Sequence, residues 1–169
     1  AEYAVSGTPA YDLLRKTTFL TLCEEALEQI AEVCTRVTAI VGSPVLTERG
    51  AVSAAAVLRY GRVDQIVEKQ YVTARREMGF VVEGEGYKTV EICGRNIAIM
   101  VGNDLAHLSE IDSKANFVVN INSRRYGKGL LSRRLETMRS LAFTEGRNII
   151  IINQVGGSGD LVYDGTSGI

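Results

Sequence analysis

Residues 149–152 are four consecutive isoleucines, set directly behind Gly146-Arg147-Asn148. A run this apolar and this short reads as a strand covered on both faces. Residues 117–121, Phe-Val-Val-Asn-Ile, read as a second buried strand. Between them, 129–145 carries Leu131, Leu135, Met138 and Ala142 at helical spacing, and Gly146 is its natural stop. Strand, helix and strand in that order put at least part of the chain in a layered α/β architecture.

The rest of the chain adds hairpins to this unit. Residues 19–37 repeat Phe19, Cys23, Ala26, Leu27, Ile30, Ala31, Cys34 and Val37 at spacings of three and four, which predicts a helix with that stripe inward. Strands are expected at 39–46, 51–59 and 63–67, separated by Thr47-Glu48-Arg49-Gly50 and Tyr60-Gly61-Arg62. Residues 73–86 are charged and contain glycine, which reads as loop. A second hairpin is expected from 89–93, a Gly94-Arg95-Asn96 turn and 97–101. Residues 104–115 read as a short helix with Leu105, Leu108, Ile111 and Ala115 on one face. Gly156 to Gly159 reads as a turn before a strand at 161–163. Hairpins mixed with helix–strand units predict a mixed sheet.

Composition bounds the function. The chain has 169 residues, 46% hydrophobic and 23% charged, enough to bury a core as one domain. A net charge of −1 gives no overall drive toward nucleic acid or an anionic membrane. No apolar run reaches the ~18 residues of a membrane span. Three cysteines without CxxC spacing argue against a disulfide framework or a zinc site and favour a reducing interior. The chain starts at Ala1 and ends at Gly168-Ile169 after a strand-like run, so both ends are expected to be cut from something longer.

Several constellations carry chemistry only in principle. Asn153 to Gly159 looks like a phosphate-cradling loop, but no lysine follows and the next segment reads as strand. Arg124, Arg125, Lys128, Arg133, Arg134, Arg139 and Arg147 form a basic cluster that reads as a solvated helix face, with an anion or partner surface as the alternative. His107 follows Asp104, but no serine sits in an elbow motif, so a Ser–His–Asp triad is not expected.

The last third of the chain carries a more specific pattern. Asn120-Ile121, Gly127-Lys128, Met138-Arg139 and Ala142 lead to Ile152-Asn153-Gln154-Val155-Gly156-Gly157, and then to Asp160-Leu161-Val162-Tyr163-Asp164-Gly165-Thr166-Ser167. This resembles the nitrilase, or carbon–nitrogen hydrolase, superfamily, and within it the glutaminase domain of glutamine-dependent NAD synthetases. There the pattern is NQVGG followed by a D/E-L-V-F/Y-D-G-x-S run. The opening, residues 2–14, is similar to the family's PELxLxGYPxxDLL segment. The resemblance implies a nitrilase-like α-β-β-α sandwich with mixed sheets, here an incomplete domain over 1–169 that lacks the family's first strand and helix and its C-terminal strands.

The resemblance also implies a chemistry. Family members use a Glu–Lys–Cys triad: the Glu takes the thiol proton, the Cys attacks the amide carbon, and the Lys stabilises the oxyanion. By position, Glu2 is the base, Lys69 the oxyanion stabiliser and Glu77 a second, water-orienting Glu. The match at Glu77 is weaker, because the loop after Lys69 departs from LPxYxxFxExRxF. The nucleophile is missing. Where members have I-C-E-D or I-C-Y-D, this chain has Val101-Gly102-Asn103-Asp104, so Gly102 holds the cysteine position. Cys93 lies nine residues upstream, roughly 30 Å along a strand at about 3.3 Å per residue, with a turn between. Asn103 replaces the Glu beside the nucleophile and Asn122 replaces the Ser of the N-I-S-A-S run, both family substrate-binding positions.

The function implied is the amidase-type domain of an NAD synthetase whose own hydrolysis of glutamine is disabled. The alternative is a non-catalytic scaffold or ligand-binding domain. The resemblance further implies no cofactor or metal in this domain, with ATP and the NAD precursor bound only by a separate synthetase domain. It implies a homo-oligomer in the cytoplasm that engages neither nucleic acid nor membrane.

Overall fold

Leu20, Cys23, Leu27 and Ala31 form the buried stripe of helix α1 (Thr17–Val33) in the computed structural model, which describes residues 1–8, 10–73, 77–111 and 114–169. The helix starts and stops earlier than the expected 19–37. Cys34 ends it, with φ −84° and ψ 49° outside the helical region. Val37 therefore falls beyond the helix and is exposed, and Ile30 lies exposed on the flank of the stripe.

Three antiparallel strands follow in the order β1 (Ala39–Thr47), β2 (Gly50–Arg59) and β3 (Arg62–Glu68). Tyr60 and Gly61 join β2 to β3 with φ of 59° and 75°, the two positive values that a tight hairpin turn between twisted strands requires. The faces of β2 alternate. Ala56 and Leu58 pack with Leu27, Ala31 and Cys34 of α1, whereas Ala55 and Val57 face a second sheet.

That sheet runs β4 (Thr89–Ile92), β5 (Arg95–Val101), β6 (Phe117–Asn122) and β7 (Asn148–Asn153), with β4 antiparallel to β5 and β5, β6 and β7 parallel. The β4–β5 turn is Cys93-Gly94, with φ of 51° and 70°. Cys93 is thus a turn residue and not the end of a strand, because a two-residue turn sets Ile92 opposite Arg95. Ile99, Val101, Val119 and Ile121 meet Ala55, Val57 and Val67 between the two sheets. Ala98, Met100, Val118, Ile149 and Ile151 point the other way, onto a 3₁₀ helix (Gly102–Glu110) and helix α2 (Leu130–Glu145). The layers are α1, sheet, sheet, and the two outer helices: an α-β-β-α sandwich with one mixed sheet.

Four expectations need correction. The 104–115 helix is instead the 3₁₀ helix Gly102–Glu110, broken at His107; Leu105, Leu108 and Ile111 recur every three residues, which suits a three-residue turn. Asp112 and Ser113 lie outside the described residues. On α2 the expected inward Leu131 and Leu135 are exposed, and Met138, Leu141 and Ala142 make the packing. Ile152 is 36% exposed rather than covered, because β7 lies at the end of its sheet and the three-stranded sheet reaches only Ile150. The 156–159 turn is a strand, β8 (Val155–Ser158), paired with β9 (Leu161–Asp164) through Gly159-Asp160. Pro9 of the opening segment and residues 74–76 of the expected loop also lie outside the described residues.

Candidate functional site

β5 and β6 are parallel, so their C-terminal ends lie on the same side of the sandwich, where open α/β sheets hold their ligands. Gly102 follows β5 and Ser123 follows β6. Lys69 follows β3, its backbone pinned on both sides: its N–H donates to the Ser53 carbonyl at 2.8 Å and its carbonyl accepts from Gly84 at 2.8 Å. Glu2 enters from the first turn of the chain, and its N–H donates to the Asn122 carbonyl at 3.2 Å.

These segments bring Glu2, Lys69, Glu77 and Gly102 together. The Lys69 Nζ lies 2.6 Å from Glu2 Oε1 and 2.6 Å from Glu77 Oε2. All three side chains are buried. The remaining carboxylate oxygens are also occupied: Ser123 Oγ donates to Glu2 Oε2 at 2.8 Å, and the Tyr3 hydroxyl donates to Glu77 Oε1 at 2.8 Å. A Cβ built on Gly102 would stand 2.7 Å from Glu2 Oε1 and 2.9 Å from Lys69 Nζ, and Gly102 has φ +58°. The chain's glycine thus sits at the point on which both functional groups converge.

One cation shared by two carboxylates decides the electrostatics. Burial raises the Glu77 carboxyl above its ordinary range and the charge of Glu2 adds to that, against the opposing pull of Lys69 and the Tyr3 hydroxyl. Burial alone would lower the Lys69 ammonium, but Glu2 and Glu77 together outweigh it and hold it above the usual lysine range. Burial, then the two neighbouring carboxylates, push the Tyr3 phenol up. The cluster is therefore a protonated lysine between two acids, one of which holds its proton more tightly than usual.

Asp104, Ser123 and Tyr3 complete the site and were not singled out from the sequence. Asp104 is buried and accepts the backbone N–H groups of Gln70 and Tyr71, at 3.0 and 2.9 Å, the two residues after Lys69. It ties the end of β3 to the turn at Gly102. Burial pushes its carboxyl up to about 6 against those two hydrogen bonds. Its signal was available: Asp104 matches the last residue of the I-C-E-D pattern. Tyr3 and Ser123 had none, because their partners are 74 and 121 residues away.

A cavity of about 630 Å³ opens over Gly102, lined also by Glu2, Lys69 and Asn103. The Asn103 amide donates to Thr73 Oγ1. Asn122 does not line it. Its amide is turned inward to the Asn120 side chain at 2.5 Å, and it accepts from Arg124 Nε at 3.1 Å. His107 stacks on Tyr71 at the cavity wall with its Nδ1 2.9 Å from Glu110, and its partner is not Asp104. Cys23 and Cys34 are buried on α1 and Cys93 is in the exposed turn at the other end of β5. Among the described residues, no group of His, Cys, Asp or Glu is placed to hold a metal ion, and no helix is long and apolar enough to cross a membrane.

No family model matches the chain. It is 30% identical over 175 aligned positions to a glutamine-dependent NAD(+) synthetase of Xanthomonas campestris and 28% identical over 176 to that of Aquifex aeolicus, each match covering 98% of the chain. Among solved structures, the glutamine-dependent NAD+ synthetase of Acinetobacter baumannii superposes with a TM-score of 0.84 at 29% identity over 95% of the chain. An amidase from Nesterenkonia sp. superposes at 0.77 with 18% identity, a likeness of fold alone. The α-β-β-α fold is the one the chain shares with these two solved structures. In sequence the chain is a homologue of glutamine-dependent NAD synthetases along nearly all of its length, and it spans about a third of theirs (32%).

Proposed function

We propose that this chain is the glutaminase-type domain of a glutamine-dependent NAD synthetase whose own covalent amide hydrolysis has been lost. The observation that carries this is Gly102 at the meeting point of Glu2 and Lys69. Covalent hydrolysis needs a thiol that gives its proton to Glu2 and attacks the amide carbon while Lys69 stabilises the oxyanion. Glycine supplies no attacking atom, and no cysteine of the chain reaches the place. Glu77, its oxygens held by Lys69 and Tyr3, supports the lysine in this reading. Asn103 at the cavity wall and Asn122 behind it stand at positions where the family contacts substrate.

In this reading the ATP and NAD-precursor sites belong to a separate synthetase domain, and the chain self-associates in the cytoplasm without a cofactor of its own. Ammonia release from glutamine should stay at background, and a glutamine-analogue electrophile should add no mass to the protein. Turnover near or above about 1 per second would overturn the reading. Gly102→Cys alone should restore little, because the new side chain meets Glu2 and Lys69 at contact distances and at positive φ. Sedimentation showing only monomer at high micromolar concentration would overturn the self-association.

A second reading is a purely non-catalytic scaffold or ligand-binding domain. The observation that favours it is the direct 2.6 Å contact between Glu2 and Lys69, close to where a side chain at 102 would stand. An ion pair satisfied within the protein needs no substrate to complete it.

A further inference from the structure

The cavity over Gly102 carries a charge that amide hydrolysis does not use. Five of its lining residues are basic (Lys69, Arg124, Arg125, Arg133 and Arg134) and one, Glu2, is acidic. Glu2 is committed to Lys69 and Ser123. Lys69 is neutralised by Glu2 and Glu77, and Arg134 pairs with Asp164. Arg124 is engaged with the fold, its Nε donating to Asn122 Oδ1 at 3.1 Å, which leaves the guanidinium groups of Arg125 and Arg133. Arg125 and Arg133 are exposed, and among the described residues no carboxylate pairs with either.

These groups come from two separate elements aimed at one concavity. The backbone of Arg125 is held by its β-bridge to Tyr163, and Arg133 stands in the first turns of α2. Like charges gathered around a cavity repel. The chain supplies no counter-charge for Arg125 and Arg133. A guanidinium presents a planar fork of N–H donors that fits the two-oxygen edge of a carboxylate or a phosphate. Two uncompensated forks call for more than the single negative charge of a monocarboxylate. The volume, about 630 Å³, is that of a site for a small molecule.

We infer that the cavity binds a small dianion, a phosphate monoester or a dicarboxylate, held non-covalently by Arg125 and Arg133. The inference rests on the reading that the site forms no thioester, and it names the ligand class that the remaining pocket takes.

Calorimetric titration of the full chain with inorganic phosphate, succinate and acetate tests it, at constant ionic strength and a pH where phosphate is dianionic. Phosphate or succinate should bind at least about tenfold more tightly than acetate. Arg125→Gln and Arg133→Gln should each weaken that binding about tenfold, the loss of one charge-assisted pair. Arg125→Lys and Arg133→Lys keep the charge without the fork and should fall between. Arg139→Gln, on α2 but lining a different groove, should change nothing. Preference for phosphate points to a phosphate ester and preference for succinate to a dicarboxylate. Acetate binding as tightly as both dianions, no binding by any of the three, or equal losses at 125, 133 and 139 would overturn the inference. Ammonia release from glutamine is read on the same preparation. Release there overturns the loss of hydrolysis, whereas absent release without dianion preference overturns only this inference.

Discussion

The floor and the rim of one cavity obey opposite rules. On the floor, Glu2, Lys69 and Glu77 are buried, and all four carboxylate oxygens accept a hydrogen bond from Lys69, Ser123 or Tyr3. On the rim, Arg125 and Arg133 are exposed cations without a carboxylate partner among the described residues. A buried charge must be paired within the fold, because its desolvation has no other compensation. An exposed charge keeps its water and waits for a partner. The difference teaches what fixes Glu2 and Lys69 beside a glycine: they hold each other in place whether or not any substrate arrives.

The largest effect should come from breaking the floor. Lys69→Met leaves two carboxylates facing each other in the interior and should destabilise the fold by about 3–5 kcal/mol in urea unfolding. A loss under ~1 kcal/mol would show that the cluster is hydrated and not a structural core.

Titration sharpens the same contrast. Asp104 holds its proton up to about 6 in the folded state, against 3.8 when unfolded. Its contribution to stability is complete below the unfolded value and is lost as pH rises through about 6. Glu77 is raised as well and acts with the same sign. Stability should therefore fall from pH 3 to pH 7 by about 3 kcal/mol for Asp104, at about 1.4 kcal/mol per unit. Asp104→Asn should flatten that slope. A slope of opposite sign would mean that the N–H groups of Gln70 and Tyr71 outweigh burial.

Gly102→Ala comes next. Its Cβ would meet Glu2 and Lys69 within 2.9 Å at φ +58°, so a cost of about 1–3 kcal/mol is expected. Equal or greater stability would show that the ion pair yields easily and that the place remains open to a side chain. Least affected should be the rim. Arg133→Gln should shift stability by no more than about 0.5 kcal/mol, because an exposed cation adds little to folding. A larger loss would give Arg133 a partner within the fold.

Much of this arrangement was legible in the residues. Local pattern gives the elements: the stripe of α1, the apolar run of β2 between its turns, and the apolar runs of β6 and β7 each announce burial, whereas the α-β-β-α order of layers comes from the resemblance. The turns at Tyr60-Gly61 and Cys93-Gly94 were marked by glycine, although the register of the second emerged only with the pairing of Ile92 and Arg95. The spacing places helix α2 within a residue of its observed start, but the face it predicts as buried is not the one that packs. A helix carrying leucines on several sides does not reveal which side meets the sheet, and Met138, Leu141 and Ala142 make that contact.

The sequence by itself determined the fold class, the family likeness and the absence of a thiol at position 102. These are carried by periodicity, by short runs of residues and by identity at one place. Tertiary structure alone decided that Lys69 bridges two acids, that Ser123 and Tyr3 occupy their outer oxygens, and that Asn122 turns away from the cavity. It also decided which arginines stay uncompensated. Such outcomes depend on which groups meet after distant segments close on one another. Local sequence encodes a residue's preference for a face or a turn, but desolvation and charge pairing act only between neighbours in space.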